Sequence, residues 1–343
     1  MSLDLIAGRG PAPAPAMKLP TFADLQEAQA RLRGVSVVTP LLESPALNAR
    51  LGSRVLIKPE TLQVSGSFKF RGAYNRISRL TPDELPRGVV AYSSGNHAQG
   101  VAAAAAKIGT RAIIVMPSDA PTVKIEGVRA LGGEVRLYDR WSESREAIGA
   151  EIARERGAVL VPPFDDFHVI AGQGTAGLEL FAQAAALGAP IDQLCCGASG
   201  GGLIAGLALA AERLSPATAV HVVEPATHDD YARSLAAGER VSHAEAPPPS
   251  ICDALMSPMP GELTFEINRS RIAGALIVSD AEVAEAMRLA FSMLKLVVEP
   301  GGAVALAALL AGRIETQGRT TAILLTGGNV DPRLFARVLE GEI

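Results

Sequence analysis

The segment Lys58-Pro-Glu-Thr-Leu-Gln-Val-Ser-Gly-Ser-Phe-Lys69-Phe-Arg-Gly-Ala73 puts a lysine where a cation is poorly placed. A strand stops at Pro59, a polar glycine-containing loop follows, and Ser67 is expected to cap a helix that starts near Phe68. Lys69 then falls in the first helical turn, at the positive end of the helix dipole. That field favours the neutral amine, the form that attacks an aldehyde. The competing reading is a solvated surface lysine, the common fate of lysines.

Three glycine- and hydroxyl-rich segments could serve such an amine. Tyr92-Ser93-Ser94-Gly95-Asn96-His97-Ala98-Gln99-Gly100 lies between a predicted strand and an alanine-rich helix. Backbone N–H groups at that helix start would bind an anion such as a carboxylate. Capping by Ser94 or Asn96 is the plainer reading, but it explains one polar residue and not five in a row. Gly197-Ala-Ser199-Gly200-Gly201-Gly202-Leu203 again joins strand to helix. Residues without side chains let backbone amides come close to phosphate oxygens. Here a rival stands open, because Gly200-x-Gly202-x-x-Ala205 fits a loose dinucleotide fingerprint, with Glu224 ending the next strand. An NAD-dependent dehydrogenase is therefore an alternative from this segment alone. Leu325-Thr326-Gly327-Gly328-Asn329-Val330-Asp331 ends the last strand, where a hydroxyl could face a ring buried between two domains, or the glycines could form a plain turn.

The elements that must position these segments alternate. Candidate strands are Arg54–Ile57, Val89–Tyr92, Arg111–Met116, Val135–Tyr138, Val159–Val161, Gln193–Cys196, Ala219–Val223 and Thr321–Leu325. Candidate helices are Phe22–Arg33, Ala98–Ile108, Ser142–Arg156, Ala171–Leu187, Leu203–Leu214, Asp280–Leu294 and Ala303–Leu310. Such alternation predicts an α/β fold of parallel sheets. Thr21 with Asp24 reads as a capping box, Gly34 as the end of that helix, and Gly109 as the end of the helix before Arg111. Residues 86–165 read as a small domain, and residues 21–85 with 166–343 as a large one, a ligand lying between them. Residues 1–20, with Gly10-Pro11-Ala12-Pro13-Ala14-Pro15, read as a flexible extension, and Ala244–Pro249 as a surface loop.

Bulk properties exclude several classes. The 343 residues are 48% hydrophobic and 20% charged, which describes a globular chain. The net charge of -4 gives no polyanion-binding surface, so no nucleic-acid partner is expected. No stretch approaches the roughly 18 apolar residues of a membrane span. Cys195, Cys196 and Cys252 make a poor disulfide framework and suit a reducing, cytoplasmic compartment as small buried hydrophobes.

Together the segments resemble the fold-type II pyridoxal 5'-phosphate (PLP) enzymes, specifically the serine/threonine dehydratase (threonine ammonia-lyase) and serine racemase family. The resemblance runs from about Leu25 to Asp331. It includes Thr39-Pro40-Leu41, Gly66-Ser67-Phe68-Lys69, Ser93–Gly100, Pro163-Phe-Asp-Asp166, Ile170-Ala-Gly-Gln-Gly-Thr175, the glycine loop, Glu299-Pro-Gly-Gly-Ala303 and Gly327-Gly-Asn-Val-Asp331. It implies two open twisted parallel-sheet domains of the tryptophan synthase β-like kind.

The resemblance also implies roles. Lys69 would carry PLP as an imine and move the Cα proton. Phe68 would pack near the cofactor ring, Asn96 would hydrogen-bond its 3'-oxygen, Thr326 would meet the pyridine nitrogen, and Ser199, Gly200, Gly201, Gly202 and Leu203 would cradle the phosphate. Ser93, Ser94, Gly95, Asn96 and His97 would grip the substrate carboxylate with help from Arg145, and Ser94 matches the second acid/base of related racemases. Glu224, His228 (through its carbonyl) and Asp230 match a divalent-cation site for Mg or Ca, against the alternative of a solvated acidic helix start that includes Asp229. The expected activity is β-elimination from L-threonine and/or L-serine, giving 2-oxobutanoate or pyruvate and ammonia. Serine racemase and 3-hydroxyaspartate ammonia-lyase are alternatives, a non-catalytic PLP-binding protein is another, and a homodimer or larger homo-oligomer is implied. Three positions depart from the family pattern: Ser199 for the first glycine of the loop, Thr326 for serine, and Ala254 for a glycine near the expected active site.

Overall fold

The computed structural model describes residues 17–120, 122–139, 141–243 and 247–343. Most of the expected extension at residues 1–20, and the first half of the loop expected at Ala244–Pro249, lie outside them.

Ten strands form two sheets. The larger contains β1 (Leu42–Glu43), β2 (Arg54–Pro59), β7 (Gln193–Gly197), β8 (Ala219–Pro225), β9 (Ile272–Val278) and β10 (Thr320–Leu325), in the order β1-β2-β10-β7-β8-β9. The smaller contains β3 (Val89–Tyr92), β4 (Ala112–Pro117), β5 (Glu134–Tyr138) and β6 (Val159–Leu160), in the order β5-β4-β3-β6. All pairings are parallel except β1 with β2, an antiparallel edge. The central strands β4 and β10 are apolar and almost wholly buried, as a sheet covered on both faces requires. The chain is thus α/β with two parallel-sheet domains, as the alternation predicts.

The helices mostly form where the caps say. Thr21 and Asp24 make the expected capping box at the start of Phe22–Leu32, and Gly109, at φ +83°, ends Asn96–Ile108. One capping expectation fails. Ser67 is extended and pairs with Gly327, so the helix Lys69–Ile77 begins after Phe68 and the Ser67 hydroxyl, buried, has no hydrogen-bond partner among the described residues.

Asp280–Leu294 is not one α-helix. It runs regularly to Leu289, widens into a π turn over Ala290–Leu294, and stops at Lys295 in the left-handed region. β1, β9 and the helices Pro45–Leu51, Thr122–Ala130, Asp230–Ala237, Glu262–Asn268 and Pro332–Glu340 add to the predicted elements. No helix among the described residues is long and apolar enough to cross a membrane. All three cysteines are free and buried.

Candidate active site

The strands of both sheets deliver their C-terminal ends to one cleft, where open parallel sheets hold ligands. The turn after β2 brings Lys69, β3 brings Ser93–His97, β7 brings the glycine loop and β10 brings Thr326; all of them line the cleft. Hydrogen bonds zip together segments more than 250 residues apart. Phe68 N–H donates to the Thr326 carbonyl (3.2 Å), Gly328 N–H to the Gly66 carbonyl (2.9 Å), and Asn329 Nδ2 to the Ser65 carbonyl (2.8 Å). Lys69 is therefore pinned over the end of β10.

Lys69 is half-buried, and its Nζ donates to the Pro163 carbonyl at 2.7 Å. It stands 5.1 Å from the centre of the Phe68 ring. Burial brings its pKa down to about 8, against the opposing charge of Glu299. A neutral carbonyl partner and a dry site leave an amine that loses its proton readily.

Asn96 is held from two sides. Its Nδ2 donates to Glu299 Oε1 at 2.5 Å, and its Oδ1 accepts from Asn329 Nδ2 at 2.7 Å. One amide hydrogen remains free for a ligand. Glu299 is buried against Gly327, where a Cβ would lie 2.0 Å from its Oε1, so only glycine fits there. Burial first, then the Asp253 charge, push Glu299 up to about 7, while Asn96, Lys124 and Lys69 oppose. The sequence reading assigned Glu299 no role; its Glu-Pro-Gly-Gly context was visible, but its partner Asn96 is 203 residues away.

The helix Asn96–Ile108 starts at Gly95 with no side-chain cap, so neither Ser94 nor Asn96 performs the plain capping role. Ser93 Oγ accepts from Gly95 N–H at 3.2 Å, and the N–H groups of Asn96, His97 and Ala98 have no protein acceptor among the described residues. That is a carboxylate-sized anion site. The His97 imidazole turns away from this task. Its Nε2 sits 2.8 Å from the Val161 carbonyl, and burial, then the Lys69 charge, hold it neutral with its pKa down to about 3. At this site His97 offers its backbone and not a charge. Arg145 starts the helix Arg145–Arg156, lines the cleft, stands 5.6 Å over the Tyr92 ring and pairs with Glu146 at 2.7 Å.

In the glycine loop, carbonyls point backwards. Thr264 Oγ1 and Gly261 N–H donate to the Gly200 carbonyl at 2.5 and 3.1 Å, and Asn268 Nδ2 donates to the Gly201 carbonyl at 3.4 Å. The N–H groups of Gly200, Gly201, Gly202 and Leu203 have no protein acceptor among the described residues. Gly201 has φ +90°, and a Cβ on it would meet the Tyr231 hydroxyl at 2.1 Å. Ser199, the departure from glycine, donates its hydroxyl to Ser257 Oγ at 2.8 Å and so ties the loop to its neighbour. Four unpartnered N–H groups in a side-chain-free cradle suit a phosphate dianion.

The dinucleotide reading fails at Glu224. Both its oxygens accept backbone N–H groups, from Tyr231 and Ala232 at 2.8 Å each, so the carboxylate is spent on the start of Asp230–Ala237 and not on a ribose. The solvated-helix-start alternative also fails. Glu224 and Asp230 are buried, and burial raises both carboxyls, Asp230 to about 7. Neither Asp230 oxygen has a hydrogen-bond partner among the described residues. The His228 ring is 2.9 Å from the Thr227 hydroxyl through Nδ1. No group of three or more His, Cys, Asp and Glu side chains among the described residues could hold a metal, so a cation here would draw on backbone carbonyls as well.

A family described as "Pyridoxal-phosphate dependent enzyme" matches residues 33–327. The chain belongs to this family of PLP-dependent enzymes. The residues present fit the cofactor: a half-buried low-pKa lysine, an amide with a free hydrogen, a hydroxyl at Thr326 and an anion cradle share one cleft.

Among its relatives, an L-threo-3-hydroxyaspartate ammonia-lyase of Pseudomonas sp is 43% identical over 325 residues, covering 95% of this chain and 100% of that protein. A threonine deaminase of T.th. superposes with a TM-score of 0.85 at 46% identity, covering 91% of this chain and 99% of that one. Maize serine racemase superposes with a TM-score of 0.88 at 36% identity, covering 95% and 98%.

Proposed function

We propose that this PLP enzyme eliminates water from a small L-β-hydroxy amino acid and releases ammonia and a 2-oxo acid. The observation that carries the reading is Lys69: a half-buried amine, low in pKa, bonded to a neutral carbonyl and facing the same cleft as the phosphate cradle. The cofactor, when bound, would delocalise the electron pair left as the Cα proton departs.

The chain's own residues do the rest. The unpartnered N–H groups at the Asn96–Ile108 helix start bind the α-carboxylate and fix the Cα–H bond toward Lys69. Lys69 takes that proton, the β-C–O bond breaks with its electron pair on oxygen, and the leaving hydroxide gains one proton and departs as water, which balances the proton Lys69 removed; one water then enters and leaves its oxygen in the 2-oxo acid as ammonia departs. The free Asn96 amide hydrogen would meet the ring's 3'-oxygen, Phe68 would pack near the ring, and residues 199–203 would hold the phosphate. The Thr326 hydroxyl is neutral and would not fix a proton on the ring nitrogen as a carboxylate would, which would make a weaker electron sink and favour prompt elimination.

L-Threonine, L-serine and L-threo-3-hydroxyaspartate all meet these requirements. The similarity to the Pseudomonas enzyme favours the dicarboxylic substrate, and Arg145, which lines the cleft and pairs with Glu146, assists with the α-carboxylate. Racemisation would use the same Lys69 with Ser94 on the opposite face, and both line the cleft. We also propose that Asp230, with the His228 carbonyl and the lone pairs that the two backbone donors leave on Glu224, holds a hard divalent cation such as Mg or Ca, for which the two buried Asp230 oxygens without partners among the described residues are the support.

The test is Lys69→Ala. Ammonia release from all three substrates should fall by about 10³-fold or more, and the borohydride-sensitive visible absorbance should vanish. Ammonia release at the wild-type rate would overturn the reading.

A further inference from the structure

Among the described residues, three basic side chains line the cleft, Lys69, Arg145 and Lys124, and the scheme above leaves Lys124 without a task. Lys124 lies in the first turn of Thr122–Ala130, where the helix dipole disfavours a cation and no acidic residue compensates. Its position therefore does not serve the helix. Its side chain is 12% exposed, and its ammonium pairs with Asp253, whose side chain is 50% exposed. Asp253 belongs to the turn Asp253–Leu255 of the larger domain and lines the cleft too. The pair thus bridges the two domains at the cleft edge. Both groups line the cleft that Glu299 also lines.

An ion pair with one partner half in water contributes little to stability, so Asp253 is exchangeable. The helix start at Asn96 provides for one carboxylate. A second, on the substrate's β-carbon, would enter a cleft already holding Asp253 and Glu299, and burying it needs a cation of its own. The methyl group of threonine makes no such demand.

We infer that Lys124 determines specificity: it exchanges Asp253 for the side-chain carboxylate of a dicarboxylic β-hydroxy amino acid. The inference rests on Lys69-driven elimination in this cleft and adds the substrate class. Neutral β-hydroxy amino acids leave the Lys124–Asp253 pair closed and are the poorer substrates.

The experiment compares wild-type holoenzyme with Lys124→Gln and Asp253→Asn, using L-threo-3-hydroxyaspartate and L-threonine in parallel. Succinate binding to the same holoenzymes is measured by calorimetry. In Lys124→Gln the ratio of kcat/KM for the dicarboxylate to that for threonine should fall about 10- to 100-fold, carried by KM, as expected for loss of a charged hydrogen bond. Succinate should weaken by a similar factor. In Asp253→Asn the same ratio should rise, because the competing anion is gone. Both ratios unchanged, with both substrates losing equally, would overturn the inference and make the pair a plain interdomain strut. So would threonine turnover with none of the hydroxyaspartate. Wild type inert toward every β-hydroxy amino acid would sink the elimination reading instead, and succinate binding would then decide the role of Lys124: unaltered in Lys124→Gln overturns it, weakened supports it.

Discussion

At the scale of single residues, Glu299 is the group whose titration the fold alters in a readable way. In the unfolded chain its carboxyl ionises near its ordinary 4.5; in the fold, burial raises it to about 7. Between those pH values the unfolded chain has released a proton that the folded chain keeps. Folding stability therefore declines as pH rises through that window, and little further change comes above it. Glu299→Gln cannot ionise and escapes this loss. The melting temperature of the variant minus that of wild type should become more positive, by roughly 3 °C, between about pH 5 and about pH 8. The other buried carboxyls contribute to both proteins and cancel in the difference. A difference that stays flat across the range would show that Glu299 is ionised throughout. Lys69, Asn96 and Thr326 could be singled out because their segments, taken in order and together, resemble one family; alone, Lys69 also read as a surface lysine and Thr326 as part of a glycine turn. Glu299 was not singled out, because one acid before Pro-Gly-Gly says nothing of the amide it will meet.

At the scale of elements, the turn between β8 and Asp230–Ala237 gives the sharpest test. It buries two carboxylates, one spent on backbone N–H groups and one without a partner among the described residues. A cation there would bind the folded state and not the unfolded one. Mg at about 100 times its Kd should then add about 2.7 kcal/mol of stability. Thermal melts with Mg and with a chelator should differ for wild type and coincide for Asp230→Asn. Coincident curves for wild type would dispose of the cation. Elements themselves were read unevenly. Strands such as Val89–Tyr92 were plain because β-branched runs stand between turn residues. β9 was not, because its Ile-Ala-Gly-Ala-Leu-Ile-Val run is rich in small residues and pairs along β8 only by bulging at Ala273, which lies between the pairs Val220–Ile272 and His221–Gly274. The end of Asp280–Leu294 was misread because a π turn keeps the helical composition while changing the hydrogen bonds.

At the scale of the whole molecule, a buried charge cluster anchors the helix that carries Lys69. Arg71, two residues on, is fully buried and grips Glu60 through Nε at 2.7 Å and Nη2 at 2.8 Å, and Glu179 through Nη1 at 2.7 Å and Nη2 at 2.8 Å. Lys58 adds bonds to Glu179 at 2.8 Å, to the Thr39 carbonyl at 2.7 Å and to Gln183 at 2.9 Å. The cluster joins β2, the Lys69 helix and the long helix Phe167–Ala186. Replacing such a cluster entirely by apolar groups can be neutral, but removing one member strands the others. Arg71→Met leaves two buried carboxylates facing one lysine and should cost about 3–5 kcal/mol, read as a lower urea midpoint. A midpoint unchanged from wild type would mean that water reaches the cluster.

The fold class and the parallel sheets followed from the sequence, because periodicity, caps and glycine loops act over a few residues and leave local signatures. The partnership of Asn96 with Glu299, the backward-turned carbonyls of the glycine loop, the neutral imidazole of His97, the spent carboxylate of Glu224 and the Lys124–Asp253 bridge were decided only by tertiary structure. Each depends on burial and on a partner from a distant segment, and the field at a buried group is the sum over neighbours that chain order does not reveal.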